Sequence, residues 1–236
     1  MSSEIHVNNC IIINLDYRKE LWDNFADFRE KWKSLNKRLF RMPAVNLKNE
    51  TNVILKYIAN NRISMNGSGF RKDKESVLGE IGCFMSHYNC WKHIVENKLD
   101  ACMILEEGVE FLREDFHNLT VNIENHITFI NTEMNQYDFT GNFTGYGLQG
   151  YVVSYKGAEL LMQKCYTMYI PIDLQIRHLC NTKEITAICM NTSYVKRNHT
   201  IISSIDTLKT PQSTDTILQR ILMNLSLSNI NIDDFL

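Results

Sequence analysis

The sequence predicts an α/β fold, and three of its segments carry that prediction. A β-branched run over residues 9–15 precedes a stretch in which Leu21, Trp22, Phe25, Phe28 and Trp32 recur at helical spacing. A second apolar run, 101–105, ends abruptly in Glu106-Glu107-Gly108. A third apolar run, 149–154, leads into a helical pattern over 156–166. Strand-length runs without alternation are those of strands buried on both faces, and amphipathic helices between them supply the cover. A parallel α/β arrangement is the simplest packing of such units.

Taken in order, residues 9–15 read as the opening strand, and the segment around 21–32 as one amphipathic helix covering a sheet face. Residues 38–45 read as a second strand, which Pro43 confines to an edge or to its own end, because proline cannot donate to a ladder. Residues 60–74 have neither period. With Asn66-Gly67-Ser68-Gly69 and the cluster Arg71-Lys72-Asp73-Lys74 they read as a loop able to close over a ligand.

From Ser76 to about Asn97 a helix is expected, with Ile81, Phe84, Met85, Tyr88, Trp91, Ile94 and Val95 on one face. Gly79 and Gly82 in its first turns mark a place where another backbone or a ligand comes close. Residues 101–105 form a central strand with charge at its carboxyl end. Pro171-Ile172-Asp173 starts a helix to about Leu179, since proline in the first turn loses no bond and an acid there meets the helix dipole favourably. Residues 185–190 read as a late strand and 214–225 as a terminal helix. The region between Gly108 and Gln149 is not decipherable, and the chain of 236 residues reads as a single domain.

Composition narrows the function. A formal net charge of -2 gives no global pull toward nucleic acid or an anionic membrane. No stretch approaches the ~20 apolar residues of a membrane span, and the N-terminus lacks a basic and apolar leader, so a cytoplasmic protein is expected, in a host cytoplasm if viral. The lean toward Asn, Ile and Lys suits an AT-rich genome, viral or bacterial. The seven cysteines lie in apolar segments without a C-x-x-C pair and read as buried thiols. Phe84, Tyr88, Trp91 and Tyr151 read as core rather than as a ligand platform.

Open α/β sheets bind ligands outside the carboxyl ends of their strands. Glu106 and Glu107 occupy that position, and adjacent carboxylates offer the hard oxygens that suit Mn²⁺ or Mg²⁺ carrying a substrate diphosphate. The alternative for these residues is structural, with Glu106 capping a backbone N–H and Glu107 and Glu110 solvated.

Several ordered blocks resemble glycosyltransferase family 25, which includes lipooligosaccharide and procollagen galactosyltransferases. Ile12-Ile13-Asn14-Leu15-Asp16 is similar to the family's opening strand. Residues 79–87, Gly-Glu-Ile-Gly-Cys-Phe-Met-Ser-His, resemble its G-E-[IL]-G-C-x-x-S-H signature. Met103 to Val109 resemble I-L-E-D-D-V, and residues 149–154 and 171–173 resemble two later blocks.

The resemblance implies a GT-A-like, Rossmann-related central mixed sheet flanked by helices. It implies a glycosyltransferase that moves a hexose from a nucleotide-sugar donor to a hydroxyl of a glycan or protein acceptor, with inversion. Asn14, Leu15, Asp16, Ser86, His87, Glu106 and Arg71 are expected at the donor, Glu106 and Glu107 at the Mn²⁺ or Mg²⁺, and Asp173 and Glu107 at the chemistry. A homodimer is compatible with the sequence.

Two positions depart from the family pattern. E-D-D reads Glu106-Glu107-Gly108, so one acid is longer and one is missing, and Glu110, Asp173 or His199 would have to complete a metal site. Leu21 stands near where the family commonly carries arginine. The alternative function is therefore a glycosyltransferase-like module that binds nucleotide or sugar with impaired catalysis.

Overall fold

A computed structural model describes residues 3–47, 60, 62–63 and 74–201. Its centre is a six-stranded mixed sheet. The strands that carry it are β2 (Asn9–Asn14), β3 (Arg38–Pro43), β4 (Ala101–Glu106), β7 (Ile127–Phe129), β8 (Gly150–Ser154) and β9 (Ala187–Cys189). In space they run β3-β2-β4-β8-β7-β9. The β3, β2 and β4 strands are mutually parallel, β8 is antiparallel to both β4 and β7, and β9 pairs parallel with β7. The sheet is thus mixed rather than all-parallel. Strand β8 lies beside β4 and runs against it, an orientation that an apolar run leaves unspecified. Pro43 sits at the last residue of the edge strand β3, opposite Asn14.

Two short ribbons flank the sheet. Strand β1 (Glu4–His6) pairs with β6 (Thr120–Asn122), and β5 (Val109–Phe111) with β10 (Val195–Arg197).

Both faces of the sheet are covered, which is why β2 and β4 are continuously apolar. Ile11, Ile13, Cys102, Ile104, Tyr151 and Val153 face one layer, built from α3 (Lys74–Glu96), α4 (Tyr155–Lys164) and α5 (Ile172–Asn181). Cys10, Ile12, Ala101, Met103, Leu105 and Val152 face the other layer. That layer contains α2 (Ala26–Ser34) and an aromatic cluster in which Phe28 lies 5.0 Å from Phe111 and 4.6 Å from Phe116, ring centre to ring centre.

The expected single helix over 21–32 is two: α1 (Lys19–Asp23) and then α2. The chain breaks at Asn24-Phe25, where the Phe25 N–H turns back to the Trp22 carbonyl, and this lets both Phe25 and Phe28 reach the core. Phe84, Tyr88 and Trp91 of α3 are buried in the core as expected, and the seven cysteines are free thiols. Among the described residues no helix is long and apolar enough to cross a membrane. The loop carrying Arg71 and Lys72, and the expected terminal helix at 214–225, lie outside the described residues.

Candidate functional site

A cavity of about 440 Å³ opens at the carboxyl ends of β2 and β4. Its floor is Ile13, Leu15 and Glu106 to Gly108. One wall is the start of α3, from Leu78 to His87, with residues 44–47 laid against it. The remaining walls come from residues 146–149, from 171–174 at the start of α5, and from Arg197, Asn198 and Ile201 after β10.

Gly82 sets the wall between α3 and residues 44–47. A Cβ on Gly82 would stand 2.6 Å from the Val45 carbonyl oxygen, so only glycine lets the two backbones meet. Ser86, one turn later, fastens the same contact: its hydroxyl accepts the Val45 N–H at 2.9 Å and donates to the Gly82 carbonyl at 2.7 Å. The sequence expectation of a donor-binding Ser86 thus meets a buried hydroxyl engaged in joining two cavity walls.

The carboxyl end of β4 separates its two glutamates. Glu107 turns back toward β2, where its Oε2 accepts the Leu15 N–H and the Asn14 Nδ2–H, both at 2.8 Å, and its Oε1 accepts Arg18 Nη1 at 2.9 Å. Burial pushes this carboxyl above the usual glutamate range, against the opposing pull of the Leu15 N–H, Arg18 and Asn14. Three donors therefore occupy the group expected to hold a metal.

Asn14, wholly buried, continues the network. Its Oδ1 accepts Arg41 Nε at 3.0 Å and Arg41 Nη2 at 2.7 Å. Asp16, expected at the donor, is exposed and pairs with Arg41 Nη1 at 2.8 Å.

Glu106 points the other way and is about a third exposed, at 29% of its side chain. Its Oε1 lies 3.1 Å from His87 Nε2, while His87 Nδ1 lies 2.9 Å from the Tyr151 hydroxyl, which also accepts the Trp91 indole N–H at 2.9 Å. With the proton of neutral His87 on Nε2, every group in the chain Trp91, Tyr151, His87, Glu106 has a partner of the right polarity. A wholly buried tyrosine thus organises the histidine beside the cavity, which the core reading of Tyr151 did not anticipate.

Asp173 lines the same cavity from the first turn of α5, and its Oδ2 accepts the Gly147 N–H at 2.9 Å. Gly147 has φ +87°, a conformation that favours glycine, so Asp173 clamps a turn in the opposite wall of residues 146–149. Of the groups considered as substitutes for the missing acid at Gly108, Glu110 is excluded by its surroundings. It lies on β5 across from Lys196, 3.0 Å from that ammonium, and is not part of the cavity lining. His199 is exposed and likewise does not line the cavity. Asp173 does.

Two lining cations escaped the sequence reading. Arg18 reaches the cavity from the turn after β2, and Arg197 arrives on β10, whose neighbour Asn198 donates its N–H to the Gly108 carbonyl at 2.9 Å. The signal for Arg18 was its place just past a strand end. Arg197 had none, because the pairing that brings it to Gly108 spans almost ninety residues of sequence.

The family model and the curated relatives agree with the family that the motifs resemble. The family model described as "Glycosyltransferase family 25 (LPS biosynthesis protein)" matches residues 8–146. A glycosyltransferase 25 family member of Drosophila melanogaster is 31% identical over 122 residues, which is 41% of this chain and 19% of the relative. Procollagen galactosyltransferase 1 of Danio rerio is 26% identical over 115 residues, 40% of this chain and again 19% of the relative. The chain thus matches about a fifth of the length of these relatives. Among solved structures, a glycosyltransferase involved in glycosylation of the major capsid of PBCV-1 overlaps 91% of this chain and 98% of its own, at 6% identity and a TM-score of 0.42. With the family model covering more than half of its length, and the signature residues of α3 and β4 meeting at one cavity, the chain belongs to glycosyltransferase family 25.

Proposed function

We propose that the protein transfers a hexose from a nucleotide-diphosphate sugar to a hydroxyl of a glycan or protein acceptor, with inversion at the sugar carbon. The observation that carries this reading is the convergence of Glu106, Asp173, Arg18 and Arg197 on one cavity at the carboxyl ends of parallel strands. Its volume falls within the range of small-molecule sites, roughly 300–1,000 Å³.

In this reading the diphosphate lies toward Arg18 and Arg197, whose guanidinium forks match phosphate oxygens. Arg18 is ion-paired to Glu107 and so is held in one orientation rather than free to swing. In the single displacement the bond from the sugar carbon to the diphosphate oxygen breaks as the acceptor oxygen bonds to the opposite face of that carbon. The acceptor's proton passes to a carboxylate, and Asp173 is the cavity carboxylate assigned to that work.

Of the step Glu106-Glu107-Gly108, Glu106 is the acid not turned back to β2: its Oε1 meets His87 Nε2 and its side chain lines the cavity. Mg²⁺ and Mn²⁺ are held by one or two carboxylates together with substrate phosphates, so this donor set fits a cation that enters with the nucleotide. Bound there, the cation would neutralise charge developing on the leaving diphosphate.

The commitment of Glu107 to β2, together with Gly108, favours one second reading: a member of the family that binds nucleotide but turns it over poorly. A panel of nucleotide-sugars, with and without Mn²⁺, separates the two. Release of nucleoside diphosphate that is lost in Asp173→Asn supports transfer. Nucleotide binding without release from any donor supports the binding module, and a folded protein that binds no nucleotide refutes both.

A further inference from the structure

Cys83 and His87 stand one turn apart on α3, so their side chains share a face. Together with Glu106 at the end of β4 they place a sulfur, an imidazole nitrogen and a carboxylate oxygen all within 4.8 Å of one another. We propose that Cys83, His87 and Glu106 form a binding site for a borderline-soft divalent cation, Zn²⁺, with its fourth position open to the cavity.

The ligand chemistry separates this ion from the one proposed to accompany a diphosphate. A thiolate and an imidazole suit zinc, whereas Mg²⁺ and Mn²⁺ favour oxygen donors. The geometry is close to what a tetrahedral site needs. His87 Nε2 and Glu106 Oε1 are 3.1 Å apart, against about 3.3 Å for two ligands bonded to one zinc at about 2.0–2.1 Å. The Cys83 sulfur lies within 4.8 Å of both, against about 3.6 Å for a sulfur and a nitrogen on one zinc with a zinc–sulfur bond near ~2.3 Å, so a shift of at most about 1 Å completes the set.

His87 has an oxygen partner on its far ring nitrogen. His87 Nδ1 meets the buried Tyr151 hydroxyl at 2.9 Å, and that hydroxyl is itself held by the Trp91 N–H. An oxygen on the far nitrogen fixes the ring and presents Nε2 to the metal. On binding, the His87 proton moves from Nε2 to Nδ1 and is donated to the Tyr151 oxygen, whose own hydrogen turns away from the ring, and the Cys83 thiol proton is released to solvent through the cavity. Three cavity groups, Cys83, His87 and Glu106, are then joined by one ion. The remaining position faces a cavity rather than protein, as in zinc sites that keep a water or take an anionic ligand.

The site shares Glu106 with the cation of the donor reading, but its test uses metal alone and no nucleotide, so the two readings can fail separately. The intact chain, stripped with a chelator, is titrated with Zn²⁺ by calorimetry and with Co²⁺ by absorption. One equivalent is expected to bind, with a thiolate-to-cobalt charge-transfer band and the intense visible bands of tetrahedral cobalt. Cys83→Ser is expected to abolish the charge-transfer band and to weaken binding by at least about ten-fold. Cys189→Ser, the other half-buried cysteine, is expected to change neither. In the unaltered protein Zn²⁺ is expected to slow alkylation of Cys83 and not of Cys189, so the proposal stays testable if the Cys83 variant fails to fold. Absence of the thiolate band, a band that survives Cys83→Ser, or alkylation of Cys83 unaffected by Zn²⁺ would overturn it.

Discussion

Glu107 Oε1 and Arg18 Nη1 lie 2.9 Å apart, at side-chain exposures of 11% and 14%, and this pair ties the exit of the central strand β4 to the exit of its neighbour β2. Removing the acid breaks more hydrogen bonds than this pair alone, since Glu107 accepts three. Glu107→Ala removes at one stroke the hydrogen bonds that its carboxylate accepts from the Leu15 N–H, Asn14 and Arg18. A loss of about 3–5 kcal/mol is expected for it, and about 1–3 kcal/mol for Arg18→Ala. Urea denaturation of both variants and of the double variant should give a coupling of about 1–3 kcal/mol. Additive losses would mean that the pair does not act as a unit.

Gly108 can accept a side chain. A Cβ there meets nothing within 4 Å. Gly108→Asp is therefore expected to leave stability within about 0.5 kcal/mol of the original. The same substitution should strengthen Mn²⁺-dependent binding of a nucleoside diphosphate by about ten-fold, equivalent to one added ligand worth ~1.4 kcal/mol. Calorimetry with and without Mn²⁺ measures both affinities, and a gain that does not depend on the metal would show that a side chain at position 108 does not reach the cation.

Tyr151→Phe keeps the ring and deletes the oxygen that takes the Trp91 N–H and meets His87. Two buried polar groups lose their partner, so a destabilisation of about 2–3 kcal/mol is expected from chemical denaturation. Loss of only a few tenths would show that water replaces the hydroxyl.

His126 gives the fold a pH dependence of determinate sign. Burial, helped by Lys156, pulls its pKa below the usual histidine value, and its Nδ1 accepts the Thr186 N–H at 2.9 Å, which requires the neutral ring. A depressed folded-state pKa means that the stabilisation is fully present above the unfolded value of about 6.5 and is lost as pH falls through the folded value. The thermal midpoint should therefore drop more steeply below pH 6.5 in the unaltered protein than in His126→Gln. Proton-detected titration of His126 checks the direction, and a pKa above 6.5 would refute it.

Much of this architecture could be read directly from the residues. The continuous apolarity of β2 and β4 announced cover on both faces, and Gly82 announced a close backbone approach, which the Val45 carbonyl supplies. Pro43 foretold the end of an edge strand. What escaped was non-local. The three-residue strands β5 and β10 are too short to show a period, yet they bring Arg197 to the cavity. Glu106 and Glu107 look equivalent as neighbours in sequence. They part because successive side chains at a strand end point to opposite sides, and one of those sides carries Leu15, Asn14 and Arg18.

Strand β8 lies between β4 and β7 in the sheet, but it begins at Gly150, beyond the last residue that the family model matches. The stretch 8–146 expressed alone would expose the hydrogen-bonding edge of β4 along its most apolar residues and would lack both α5 and Arg197. Such an edge is an invitation to pair with another copy. The stretch that the family model matches is thus shorter than the stretch that builds the cavity, and any fragment meant to retain the cavity has to reach past Arg197 to Ile201.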